Sequence, residues 1–103
     1  MKKYTVIDIE GRRLKLEIAS NFITRVIGLS FRDIEPGVDG MLFKFPWRAR
    51  WRMTMRGMKF PLDFIWMDGR KVVEVTRNVP VDSGMIKPKF KVDAVIEVIC
   101  PCK

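Results

Sequence analysis

Residues 4–9 and 12–18 form two alternating, β-branched runs separated only by Glu10-Gly11. Two residues between such runs specify a tight antiparallel hairpin. The register follows directly. A two-residue turn sets Ile7 opposite Leu14 and Asp8 opposite Arg13, one apolar pair and one pair of opposite charge. Pairing chemistry and local pattern therefore agree, and a slip by one residue would turn every apolar side chain to the wrong face. A chain that begins this way is committed to sheet structure.

The rest continues largely in strands. Residues 41–45 read as a short buried strand that Pro46 stops. Residues 47–55 alternate, with Trp47, Ala49, Trp51, Met53 and Met55 on one face and Arg48, Arg50, Arg52 and Thr54 on the other, a half-buried strand. Residues 62–67 are apolar on both faces except at Asp63, which predicts a central strand. Asp68-Gly69 predicts a second two-residue turn, leading into residues 71–77. Residues 79–91 read as irregular, with Pro80, Gly84 and Pro88, and residues 92–99 as the last strand. Ahead of these, Ser20 or Asn21 caps a predicted short helix whose apolar face is Phe22, Ile23, Val26, Ile27 and Leu29. The expectation is a β-dominated α+β fold. One small domain spans residues 1–103, an antiparallel barrel-like or strongly curved sheet of about seven strands with one short helix.

Composition bounds the chemistry. A chain of 103 residues with 48% apolar side chains builds one core. No apolar run reaches the roughly 20 residues that cross a bilayer, and Asp8 comes too early for a secretory leader, so a cytoplasmic protein is expected. There is no histidine, which excludes His general bases, Ser-His and Cys-His nucleophiles and His metal ligands. Cys100 and Cys102, one residue apart, suit neither a mutual disulfide nor a complete zinc set. No phosphate-cradling glycine loop occurs. No catalytic residue, metal or cofactor is therefore assigned. Glutamine is absent and Asn21 and Asn78 are the only asparagines, a composition suited to a thermophile.

The net charge of +8 points to polyanions. No acid occurs between Asp39 and Asp63, a stretch that holds Lys44, Arg48, Arg50, Arg52, Arg56 and Lys59. Alternation would set Arg48, Arg50 and Arg52 about 7 Å apart on one face, a spacing that suits phosphates along a strand and guanidinium forks. The same charges would also protect an exposed sheet edge. Asp63 is the second candidate. With Asp68-Gly69 as the loop it lies opposite Glu74, and two opposed carboxylates need a proton, an arginine or a cation between them. The methionines Met41, Met53, Met55 and Met58 read as core.

Several blocks together resemble one family. Arg25 to Arg32 is similar to its helix-end motif, an Arg before Gly-Leu and another Arg after it. Gly40-Met41-Leu42-Phe43 resembles its Gly-Met-Leu-Phe block. Residues 55–66 resemble its Met-Lys-x-x-x-x-Pro-Leu-Asp block and the hydrophobic strand that follows, although Thr54 stands where the family often has Trp. The family is the domain-of-unknown-function family 192, also called uncharacterised protein family 0127, and the resemblance covers about residues 19–99. It implies a compact, β-rich single domain with no established activity. It marks Arg25, Arg32, Met41, Met55, Arg56, Pro61 and Asp63 as candidate positions.

Three readings follow. The first is a binding module for an anionic ligand or nucleic acid, acting through Arg48, Arg50, Arg52 and Arg56. The second is a small-molecule-binding protein or enzyme whose pocket is built on Arg25, Arg32, Arg56 and Asp63. The third is a domain that docks a protein partner. With no activated nucleophile in sight, the residues favour binding over catalysis.

Overall fold

The structure is a computed structural model that describes residues 3–19 and 36–99. Eight strands make it up: β1 (Lys3–Ile9), β2 (Arg12–Ala19), β3 (Gly40–Ala49), β4 (Met53–Thr54), β5 (Leu62–Asp68), β6 (Lys71–Val79), β7 (Met85–Ile86) and β8 (Val92–Ile99). Six of them form one sheet in the order β1-β2-β3-β8-β5-β6, while β4 and β7 form a two-stranded ribbon.

The first hairpin has the expected register, with Ile7 opposite Leu14 and Asp8 opposite Arg13. Glu10 and Gly11 make its turn, both at positive φ (50° and 80°). The backbone of a two-residue loop must twist that way to match the strands it joins. β2 then pairs with β3 in parallel, Leu16 beside Gly40 and Ala19 beside Phe43. Antiparallel ladders join β3 to β8, β8 to β5 and β5 to β6.

β5 is an interior strand, as its apolar run, interrupted only by Asp63, predicts. It and β8 are buried on both faces because the sheet carries a core on each side. One core gathers Met41, Phe43, Met55, Leu62, Phe64, Trp66 and Val95, with Phe64 and Trp66 stacked at 5.6 Å between ring centroids. The other gathers Leu14, Leu16, Leu42, Ile65, Met67, Ile96 and Val98. Met41, Met55 and Met58 belong to the first core and Met53 packs against it, so the methionines are core side chains.

The expected fold class needs correction. All elements among the described residues are strands, so this part of the chain is all-β rather than α+β. The sheet is mixed, because β3 pairs with β2 in parallel while its other ladders are antiparallel. It is open rather than barrel-like, because no ladder joins the edge strands β1 and β6. The helix expected after residue 20 lies outside the described residues, as do Cys100 and Cys102.

Two local expectations also change. Pro46 does not stop a strand. β3 runs through it to Ala49, because the β3–β8 register shifts between Lys44 and Ala49 and leaves Pro46 where no ladder amide is required. The strand expected over residues 47–55 is therefore divided. Its first part belongs to β3, residues 50–52 are not strand, and only Met53–Thr54 pairs again, with β7. The second change is at the β5–β6 turn. Asp68 pairs with Lys71, so the two-residue loop is Gly69-Arg70, with Gly69 at φ 66°. The ladder then breaks twice. β6 places an extra residue, Val73, between the partners of Trp66 and Met67, and two residues, Arg77 and Asn78, opposite Asp63. Glu74 consequently faces Trp66, and the expected Asp63–Glu74 opposition does not exist.

Candidate functional site

The arginine stretch lies on an interrupted strand. Arg48 is on β3, and its Nε donates to both carboxylate oxygens of Asp68 at 2.9 and 2.8 Å. Arg50 lies past the strand end, and its Nε donates to the Pro88 carbonyl at 2.9 Å. Arg52 and Arg56 are exposed. Regular spacing on one strand face is thus not how these four side chains are arranged. The aromatic residues differ from expectation too. Trp51 stacks on Phe45 at 4.8 Å and donates its indole N–H to the Trp47 carbonyl, but Trp47 itself is 65% exposed.

Asp63 is buried, and its place is explained by the wide bulge opposite it. Ladder bonding is interrupted there, and Asp63 Oδ1 accepts the Asn78 backbone N–H at 2.8 Å. Asn78 sits at φ 53°, a conformation that Asn tolerates better than most residues. Asp63 Oδ2 lies 3.7 Å from Arg77 Nη1, and Arg77 Nη2 reaches Glu10 Oε1 at 3.0 Å. Arg77 therefore links a buried carboxylate on β5 to the turn of the first hairpin. An Asp63→Ala variant should lose roughly 1–3 kcal/mol, the cost of leaving a buried amide unsatisfied. Asp63→Asn, which keeps an acceptor, should lose clearly less. Urea unfolding of the two variants checks this, and equal losses would show that the acceptor is not what matters.

Glu10 also lines a cleft of about 730 Å³, which lies between β1 and the β5–β6 turn. Its lining includes residues 5–10 of β1 and its turn, Leu42 and Lys44 of β3, Met67 of β5, Gly69, Arg70 and Val72 at the β5–β6 turn, and Ala94 of β8. Ile9, Leu42, Met67 and Ala94 make the floor apolar. Lys44 and Arg70 add two cations to the walls, and neither has a hydrogen bond or ion pair among the described residues. Asp8 and Glu10 line the β1 side, where Glu10 is held by Arg77. Arg25 and Arg32 lie outside the described residues. Among the described residues no group of three or more acidic or cysteine side chains could hold a metal, and no helix is long and apolar enough to cross a membrane.

The chemistry that residue reasoning missed is at Glu97. One row of paired residues crosses the whole sheet: Tyr4, Glu17, Met41, Glu97, Phe64 and Thr76. Both glutamates in it are 3% exposed. Burial raises the Glu97 carboxyl from 4.5 to about 8. The signal was available, since Glu97 interrupts the apolar run Ala94-Val95-Ile96-Glu97-Val98-Ile99 just as Asp63 interrupts its own.

A UPF0127 protein of Pyrococcus abyssi (strain GE5 / Orsay) is 39% identical over 69 residues, covering 64% of this chain and 56% of that protein. The matching segment is thus little more than half of the relative's length. A solved structure from Sinorhizobium meliloti 1021, provisionally assigned as a transcription regulator, superposes with a TM-score of 0.74 at 25% identity, covering 96% of this chain and 80% of that one. A protein of unknown function from Novosphingobium aromaticivorans DSM 12444 superposes with a TM-score of 0.78 at 22% identity, covering 97% of this chain and 74% of that one. The last likeness is one of fold alone. The sequence profile of DUF192, described as an uncharacterized ACR, matches residues 5–99 and so takes in the first hairpin, which the block resemblance had left out. The chain belongs to the DUF192 family, also known as UPF0127.

Proposed function

We propose that the protein binds a small molecule that joins an anionic group to an apolar body, and that the ligand sits in the cleft between β1 and the β5–β6 turn. The observation that carries this reading is the pairing of Lys44 and Arg70, both without partners among the described residues, with an apolar floor in one cavity. Its volume of about 730 Å³ falls in the range of small-molecule sites. The cations fix the anionic group, and the floor supplies most of the affinity. Asp8 on the opposite wall accepts a hydroxyl or ammonium of the same ligand. Asp63 then serves as a positioning residue, because it approaches Arg77, which holds Glu10 at the cleft wall. The Sinorhizobium structure's provisional assignment to transcription regulation supports a role in which the bound molecule is a signal.

The test is thermal unfolding against a panel of aliphatic and aromatic carboxylates and phosphate esters. A ligand at about 100 times its Kd stabilises by about 2.7 kcal/mol, which for a domain of this size raises Tm by roughly 10–20 °C. The Lys44→Ser/Arg70→Ser variant should fold normally and lose that shift. If no compound separates the variant from the wild type, the reading fails.

A further inference from the structure

A second cavity adjoins the cleft at Val72 but uses none of its cations. It is a groove of about 420 Å³ lined by Arg48, Asp68, Lys71, Val72, Val73, Phe90 and Lys91. Three cations face one acid. Asp68 is already engaged by the Nε of Arg48, so the terminal amino groups of Arg48 carry no hydrogen bond among the described residues. Lys71 and Lys91 have no ion pair among them either. The groove also holds an aromatic ring that is not buried, Phe90, which is 57% exposed.

An exposed phenylalanine on a loop is usually a side chain without a fixed place. This one is held. Its segment is tied on one side by Arg50, which donates to the Pro88 carbonyl at 2.9 Å, and on the other by Glu74, whose Oε1 accepts the Lys89 N–H at 2.7 Å. Pro88 is buried. The facing β5–β6 turn is fixed in turn by the Gly69 N–H, which donates to Asp93 Oδ1 at 2.9 Å. Two of the residues singled out from sequence thus have positioning roles here: Arg50 holds the loop, and Glu74 holds it rather than opposing Asp63. Beyond the groove the same segment continues the positive charge with Lys87 and Lys89, both exposed.

We infer that this groove takes single-stranded nucleic acid. Arg48, Lys71 and Lys91 hold successive phosphates, and an unpaired base stacks on Phe90. A preset aromatic face beside a cationic track is how proteins hold single strands without reading sequence. A base paired in a duplex offers no free face for the ring. The continued charge at Lys87 and Lys89 suits a chain longer than one nucleotide.

Fluorescence anisotropy with a labelled oligouridine and with labelled heparin tests the inference. Three phosphate contacts predict that raising salt from about 50 to about 200 mM weakens oligouridine binding roughly 20-fold. Lys71→Ser/Lys91→Ser should weaken binding at low salt and cut that salt effect to roughly 3-fold. Phe90→Ala should weaken oligouridine binding roughly 10-fold and leave heparin binding unchanged, since heparin has no base to stack. Arg52→Ser, outside the groove, should bind like the wild type. All the altered side chains are exposed, and an unchanged Tm confirms that each variant folds. The inference is overturned by no binding at low salt, by wild-type binding in the double lysine variant, or by equal losses for oligouridine and heparin in Phe90→Ala. The cleft proposal stands or falls separately, because Lys44→Ser leaves this groove intact.

Discussion

Glu97→Gln is expected to stabilise the protein by several kcal/mol at pH 9 and to leave its stability nearly unchanged at pH 4. The wild-type carboxyl titrates near 8 when folded because burial disfavours its charged form, and near 4.5 when unfolded. Below the lower value both states hold the proton, so nothing is lost. Between the two values only the folded state holds it, and stability falls with rising pH by about 1.4 kcal/mol per unit. Above the upper value both states are ionised and the full loss remains, roughly 5 kcal/mol for the shift from 4.5 to about 8. Small domains have only about 5–15 kcal/mol in total, so a loss of that size is a large share of the whole. Glutamine has the same shape and never ionises. Urea unfolding of both proteins at pH 4, 6 and 9 measures the effect, and the difference between them cancels every other titrating group. A constant difference across that range would mean that Glu97 is ionised and satisfied in the folded protein.

The second large effect is expected at Gly40. It begins β3 between Leu16 of β2 and Val98 of β8. A Cβ added there would overlap the Glu97 carbonyl oxygen and stand 2.9 Å from its carbonyl carbon. Both atoms are backbone of β8, which is paired on both sides, so neither can swing aside. Gly40 is not among the glycines at positive φ, so the demand is for space and not for an unusual conformation. Gly40→Ala should therefore cost roughly 3 kcal/mol or more by forcing β3 away from β8. Gly37→Ala is the matched control. Gly37 has φ 84° and open space where the Cβ would go, so it should lose only about 1 kcal/mol of backbone preference. Similar losses for the two would show that the β3–β8 contact yields easily.

The parts of the fold legible in the residues were those that neighbours along the chain decide. The first hairpin could be read to the residue because a two-residue loop leaves no freedom in register. The interior position of β5 was legible because only a strand covered on both faces tolerates such an apolar run. The β5–β6 register was not. Asp63 needed an amide to bind, and the ladder widened to provide Asn78. That adjustment is tertiary, and it moved Glu74 to Trp66 and then into the service of the Lys89 amide. Arg48 and Arg50 looked like a charged row, but the register shift in β3 ended the alternation, and their partners Asp68 and Pro88 lie 20 and 38 residues away. The cleft was hidden for the same reason. Its walls are β1 and the β5–β6 turn, whose meeting no local pattern announces.

The position of β8 has a consequence for how the protein is made. Among the described residues, the sheet order β1-β2-β3-β8-β5-β6 joins the first three strands to the β5–β6 hairpin only through β8, the last of the described strands in sequence. During synthesis β1–β3 and the β5–β6 hairpin can each form as they emerge, but β3 and β5 each keep an open side that residues 92–99 fill. Cooperative folding must wait until β8 has left the ribosome. Nascent chains arrested before residue 92 should be protease-sensitive throughout, and protection should appear in a single step once β8 is free.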